Sequence, residues 1–458
     1  METIKSIGKT TNKQIFLDHW VNYLELNLKT IPVYVVDEVE KMLACRDPLK
    51  SGYHMYVCPE HPLEKTYVPH SCKSRFCNVC GVAQTNKWMN EATSYFPDCG
   101  YFHIVLTIPD TLWYFFHFES KKPLLDLLFK SSNEAVLGWF RDNRKVIPGA
   151  VSVLHTFGKK VNFNTHIHMI VSAGGLSREK IRGKNSREKQ KSIFKIKRKF
   201  GIIKKINNDE CYVWKKIHSL PWDTFAKRWK TVVLNNLDPY IRNLTFHSDA
   251  SKKHWYSHSK FVNDSKFTCN YIGRYAKRPP MAETRIVKYD GNFVTFYYDE
   301  RDNDYGNIKH RSYITLSCQE FISRLIQHIM PPNFKIVRHC GLFSNRVKNK
   351  LLPIVYKLLC QEIKKTIKWS SWRVRQTAYL GYDPLVCKVC GKEMVLKQIA
   401  FWSKKFDRLY IKYMELEISY TKKQRGFCAL FSFFEFFFIF LNVFLRVSSN
   451  SRSQIYVY

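Results

Sequence analysis

The feature that most constrains this chain is a cluster of metal-type ligands near its start. Residues 45–80 hold five cysteines and three histidines: Cys45, His54, Cys58, His61, His70, Cys72, Cys77 and Cys80. Cys58-x2-His61 and Cys77-x2-Cys80 form two pairs joined by 15 residues, a ribbon-like zinc spacing. Cys45, His54 and Cys72 are left over and, with His70 as a fourth ligand, could build a second site. At least one zinc is expected, and one or two remains open. A late pair, Cys387-x2-Cys390 before Gly391, has no obvious partner pair, only Cys340 and Cys360 in reach by sequence. A half-knuckle and two free thiols are equal readings of it.

Compartment and partner follow from the rest of the composition. The opening residues METIKSIGKTTNKQ are polar and lack a leader-like apolar core, and the cysteines are clustered. Both facts point to reduced thiols in a cytoplasmic setting. Seventy-four Lys and Arg face 38 Asp and Glu, a formal net charge of +36. A field of that size attracts a polyanion, and nucleic acid is the expected partner, ahead of an anionic membrane. Hydrophobic residues make up 45% of the chain, enough for most of its length to fold around two or three cores.

Patterning then divides the chain. Residues 81–96 read as a helix leaving the ligand cluster. YFHIVLTI (101–108) is strand-like and stops at Pro109, and 111–145 is helical. VSVLHTF (151–157) and VNFNTHIHMIV (161–171) are strands joined by a hairpin-sized connection, which predicts antiparallel pairing. The basic stretch 177–205 is either an exposed DNA-facing insert or a solvated loop. Residues 221–245, 265–278, 317–328 and 347–368 read as helices, and 285–289 with 292–298 as a hairpin around Gly291. Residues 427–447, FCALFSFFEFFFIFLNVFLRV, are long enough to span a bilayer, but Glu435 near the middle opposes insertion by about 2.5–3.5 kcal/mol.

Two short patterns carry chemistry. In THIHM, His166 and His168 stand two apart on a strand, so both imidazoles face one side and can share a divalent ion. Taken alone, such a pair is as easily two ordinary histidines. In CNYIGRYAKRPP, Tyr271 and Tyr275 are one helical turn apart, with Arg274, Lys277 and Arg278 beside them and Pro279–Pro280 ending the helix. A phenol can attack phosphorus when neighbouring cations favour phenolate. Aromatic packing explains the same spacing.

In order and spacing, these pieces resemble the rolling-circle, two-tyrosine HUH class of insertion-sequence transposases with an N-terminal transposase zinc-binding domain. The resemblance runs from roughly residue 35 to 395. Cys45, His54, Cys58, Cys72, Arg75, Cys77 and Cys80 fall where that family has them, while His61 replaces a usual Cys. HIVLTIP, THIHMIVSAGG, YIGRYAKRPP, FKIVRHCGLFSNR and the late CKVCG look like its further features. The resemblance implies an α+β fold, an HUH nuclease core with a central antiparallel sheet and flanking helices, preceded by a small zinc-binding module. The expected division is a lead-in (1–34), a zinc-binding DNA-binding domain (35–96), a catalytic domain (97–330) with the basic insert 177–205, a helical region (331–404) and an atypical Phe-rich tail (405–458).

It also implies cleavage and rejoining of single-stranded DNA at element ends through a 5′-phosphotyrosine on Tyr271 or Tyr275. Mg²⁺ or Mn²⁺ would sit on His166 and His168, and zinc would be structural. Arg75, Arg274, Lys277 and Arg278 are candidate phosphate contacts, with no small-molecule cofactor expected. A third metal ligand is missing, with His103 and His155 as candidates. A replication-initiator or relaxase-like nickase would use the same residues. The tail is out of pattern and reads as sequence beyond a frameshift or decayed end, in which case the chain could bind DNA without cutting it.

Overall fold

The structure is a computed structural model. It describes residues 11–116, 121–240, 250–263 apart from 251, 254 and 256, Gly273, 279–301, 308–364, 371–403 and 408–414. The chain divides into two compact units, one of residues 1–43 and 73–369 and one of residues 44–72 and 370–458. The expected 35–96 module is thus shared, its middle part (44–72) clustering with the C-terminal strands and its two ends with the larger unit.

The larger unit is built on a five-stranded, wholly antiparallel sheet. Its strands are β1 (Tyr101–Thr107), β2 (Gly149–Phe157), β3 (Phe163–Ser172), β4 (Ser257–Val262) and β5 (Val337–Gly341), in the spatial order β5-β2-β3-β1-β4. β2 and β3 are buried along nearly their whole length, which is why they read as almost unbroken apolar runs rather than as an alternation. Helices α1 (Asn12–Asn27) and α2 (Val33–Leu43) precede this sheet in sequence. α3 (Asn78–Thr93) and a later helix, Lys348–Leu358, share a core with Val151, Val153 and Ile170 on one face. α4 (Lys121–Trp139) and α5 (Trp222–Leu237) share a core with Ile104, Leu106, Ile167 and Met169 on the other. Alternation along β3 sends Ile167 and Met169 to the α4–α5 side and His166, His168 and Ile170 to the α3 side. The fold is therefore α+β, with a central antiparallel sheet covered by helices on both faces.

The turn between β2 and β3 is tightly held. Val161 adopts φ +59°, an unusual state for a β-branched residue. Its carbonyl accepts from His328 Nε2 (3.1 Å), the Lys160 carbonyl from Arg324 (3.1 Å), and the Lys159 carbonyl from Arg285 (2.5 Å). The basic stretch after β3 is ordered: strand Gly174–Lys180 pairs with Glu210–Lys216, and Ser186–Phe200 is a helix capped by Asn185. Ile193, Ile196 and Phe200 form its apolar stripe against Ile181, Cys211 and Val213, leaving the lysines to solvent.

The second unit contains a four-stranded antiparallel sheet. Gly52–Val57 lies between Lys65–Pro69 and Val395–Ser403, with Arg408–Tyr413 at the edge. Among the described residues no helix is long and apolar enough to cross a membrane; the Phe-rich stretch 427–447 lies outside them.

Candidate functional site

The geometry of the THIHM strand follows from the register of the sheet. His155 on β2 lies directly opposite His166 on β3, and His168 lies opposite Val153 and Val105. One ligand nitrogen from each of His155, His166 and His168 can come within 4.8 Å of the others, a grouping that fits a metal ion. His155 Nδ1 and His166 Nε2 are 3.1 Å apart. The Nδ1–H of His166 donates to the Asn164 carbonyl (2.8 Å), which leaves Nε2 as the lone-pair nitrogen. His168 Nδ1 lies 2.9 Å from Nε2 of His103 on β1, so His103 stands behind His168 rather than beside the other two.

Burial sets the charge of the cluster. It draws His155 and His168 well below the usual imidazole range, the neighbouring imidazoles pushing the same way, and it lowers His166 to about 4 against the raising effect of the Asn164 carbonyl. All three rings are therefore neutral near pH 7, the state a metal ligand needs.

Arg75 adds a positive charge here. Its Nε and Nη2 are shielded from solvent and make no hydrogen bond, and burial lowers the guanidinium to about 10. Its charge reaches His155, where after burial and the other two histidines it further weakens proton binding. Arg75 lines a cavity of about 380 Å³ with Tyr34, Gln84, Pro280, His328 and Asn333. Asp37 and Glu38 line the same cavity, and Glu38 takes Lys41 at 3.3 Å. The opposite side of His328 is fixed by Thr156 Oγ1, 3.1 Å from Nδ1.

Tyr271, Arg274, Tyr275, Lys277 and Arg278 lie outside the described residues. Gly273, between the two tyrosines, is helical and buried, and a Cβ on it would run into the Met89 side chain. Met89 belongs to α3, the helix over the histidine face of the sheet.

The expected zinc ligands separate into distinct sets. Cys58 and His61 meet Cys387 and Cys390, the late pair that spacing alone left without a partner. Cys45 and Cys72 lie together in the second unit, the Cys72 N–H donating to Cys45 Sγ (3.4 Å). Cys77 is the N-cap of α3 without using its thiol as a cap, and Cys80 follows in the first turn. His54 and His70 instead hydrogen-bond to each other (3.1 Å), and His70 also to the Ser51 carbonyl (3.1 Å). Neither joins a ligand group among the described residues. Sequence spacing pointed to the next pair along the chain; the strand pairing of Gly52–Val57 with Val395–Ser403 is what brings in the distant one.

A buried, neutral histidine triad on an antiparallel sheet and groups of cysteines able to hold a metal ion are features of a metal-binding protein, and the comparisons with known proteins give its class. Residues 15–108 match the family described as "Transposase zinc-binding domain" and residues 149–350 the one described as "Putative transposase". The chain is 30% identical over 381 residues to "Transposase for insertion sequence element IS801" of Pseudomonas savastanoi pv. phaseolicola, covering 79% of this chain and 82% of that protein. It is 24% identical over 352 residues to "Putative transposase y4qJ" of Sinorhizobium fredii, covering 71% and 80%. The chain belongs to this family of insertion-sequence transposases. No solved structure matches it.

Proposed function

We propose that the protein cuts and rejoins single-stranded DNA at the ends of its element by a rolling-circle, two-tyrosine mechanism. The observation that carries this reading is the buried, uncharged grouping of His155, His166 and His168 on one hairpin. Tyr271 or Tyr275 supplies the nucleophile. Its phenol loses a proton, its oxygen bonds to phosphorus, and the P–O3′ bond breaks, leaving a 5′-phosphotyrosine and a free 3′-OH. Attack by a 3′-OH on that linkage reverses the step, and the second tyrosine serves the second strand. Arg274, Lys277 and Arg278 favour phenolate and hold backbone phosphates.

His155 takes the place of the missing third ligand, and His103 orients His168 from behind. His155, His166 and His168 would hold a divalent ion, Mn²⁺ suiting imidazole nitrogen better than Mg²⁺, which would supply Lewis-acid polarisation of the scissile phosphate. Gly273 itself lies against Met89 on α3, where a side chain would collide. Arg75 contributes a further phosphate contact, its Nε and Nη2 being buried and without a hydrogen bond. A structural zinc fits the match of residues 15–108 to a transposase zinc-binding domain, with the cysteines of residues 45–80 as its ligands.

The test is incubation of the full chain with labelled single-stranded element ends and Mn²⁺ or Mg²⁺. A covalent protein–DNA adduct that survives denaturation is expected. It should disappear in the Tyr271→Phe/Tyr275→Phe double variant and in His166→Ala/His168→Ala. An undiminished adduct in either variant refutes the assignment.

A further inference from the structure

We propose that Cys58, His61, Cys387 and Cys390 hold a second structural zinc ion, completed by a pair of thiols more than 250 residues beyond the matched zinc-binding domain, which ends at residue 108. Four observations carry it. First, the ligand atoms have the right separation. Cys58 Sγ is 3.5 Å from Cys390 Sγ and 3.8 Å from His61 Nδ1, and Cys387 Sγ is 3.9 Å from His61 Nδ1. All four atoms lie within 4.8 Å of one another. A tetrahedral ion with Zn–S of about 2.3 Å and Zn–N of about 2.0–2.1 Å places its ligands roughly 3.5–3.8 Å apart. A disulfide would need about 2.05 Å, so Cys58 and Cys390 are not bonded to each other.

Second, the backbone around the late pair is shaped as a knuckle. The Gly391 N–H donates to the Cys387 carbonyl and the Cys387 N–H to the Lys392 carbonyl, both at 2.9 Å. Gly391 takes φ +71°, the left-handed state that a side chain resists, and this turns the chain back after Cys390. The amides of Val389 and Cys390 point at the Cys387 sulfur, as they do where a thiolate must be held. Third, a matching turn carries the early pair: the Cys58 N–H bonds the Glu64 carbonyl (3.2 Å) and the Glu64 N–H the His61 carbonyl (2.9 Å).

Fourth, the sheet enforces the meeting. Val57 pairs with Val395, so Cys58 emerges from one strand at the end where the knuckle enters the other. Cys58 and Cys387 are buried, with Met394 and Tyr56 packed beside them, and Lys392 bridges to Glu60 across the two turns (2.9 Å). The buried cluster at this end of the sheet is small, and an ion would tie the two turns together beyond what the strand pairing supplies.

The proposal does not depend on the cleavage chemistry. Zinc per chain is measured on the purified full-length protein and on Cys387→Ser/Cys390→Ser, and one equivalent fewer is expected in the variant. In parallel, native wild-type protein is pulsed with iodoacetamide and each cysteine is read by mass spectrometry. Cys390 is exposed, so as a free thiol it would react at once. As a zinc ligand it should resist, and a chelator should expose it together with Cys387 and Cys58. Co²⁺-loaded protein should show sulfur-to-cobalt charge transfer that strengthens in His61→Cys. Rapid alkylation of Cys390 in the metal-replete wild type overturns the proposal even if the double variant does not fold. Equal zinc in a folded double variant overturns it as well.

Discussion

Replacing Arg75 with methionine should make the protein more stable while weakening its grip on DNA. Burial takes the guanidinium down from its ordinary value to about 10, and at about 1.36 kcal/mol per pH unit that fall costs the folded state roughly 3 kcal/mol. The sign is fixed by linkage. A base with a depressed folded pKa carries its whole cost below that pKa, here below about pH 10, and the cost is relieved only as pH rises beyond it towards the guanidinium's ordinary value. At pH 7 the full cost is present, and no hydrogen bond to Nε or Nη2 offsets it. Methionine fills much of the same space without charge, so Arg75→Met should gain about 1–3 kcal/mol, read as a higher urea midpoint or a Tm raised by a few degrees. Binding should move the other way. A lost charge-assisted phosphate contact is worth about 1.5–3 kcal/mol, tenfold or more in Kd. The slope of log K against log salt for single-stranded DNA should also fall by about 0.7. Fluorescence anisotropy on a labelled oligonucleotide across a salt series measures both. A variant that loses stability and keeps the wild-type salt slope would show that Arg75 is a packing residue, and the phosphate role would be wrong.

Two further outcomes are expected. His339, half-buried against Trp88 and Tyr95, is lowered to about 4 by burial and then by Lys348. The folded state therefore resists protonation that the unfolded chain accepts below about 6.5, and stability falls as pH drops from 6.5 towards 4. Between pH 7 and 4.5 the wild type should lose about 2 kcal/mol more than His339→Gln in urea titrations, and parallel losses would refute this. Gly341 ends β5 at φ +57°, where an added Cβ would strike the Pro148 carbonyl oxygen. Gly341→Ala should cost roughly 2–4 kcal/mol by opening the β5–β2 edge, and an unchanged denaturation midpoint would show that the edge is not as rigid as its register implies.

Much of the sheet was legible because its signals are local. The strands around His103, His155 and His166 announce themselves as apolar runs, and the short 158–162 connection allows only an antiparallel hairpin. Two apart on a strand, His166 and His168 had to share a face. Their partner His155 was one of two candidates, and only the register, which sets it opposite His166, favours it over His103. How the zinc ligands group was less legible, by the same logic. Spacing finds pairs that are close along the chain, so it joined Cys58 and His61 to the next pair. The contact with Cys387 and Cys390 arises from pairing of strands that sequence periodicity cannot match to each other. Gly391 was the available signal: a glycine directly after a Cys-x2-Cys is what a knuckle turn requires. The basic run 177–205 was misleading for a different reason. Its lysines concealed the stripe of Ile193, Ile196 and Phe200 that anchors the helix.

The hairpin that carries His155, His166 and His168 has a consequence for the order in which the protein assembles. Ten residues separate His155 from His166 in sequence, so closing this loop costs little chain entropy. The turn can form, and the three rings gather, while most of the chain is still unfolded. The Cys58–Cys390 contact is the opposite case, because it closes across 332 residues. It belongs to the last events of folding and comes only when the far end has been made and paired. The histidine grouping is thus prepared early and the cysteine–histidine closure late, so that closure tells a chain translated through residue 390 from one that stopped short.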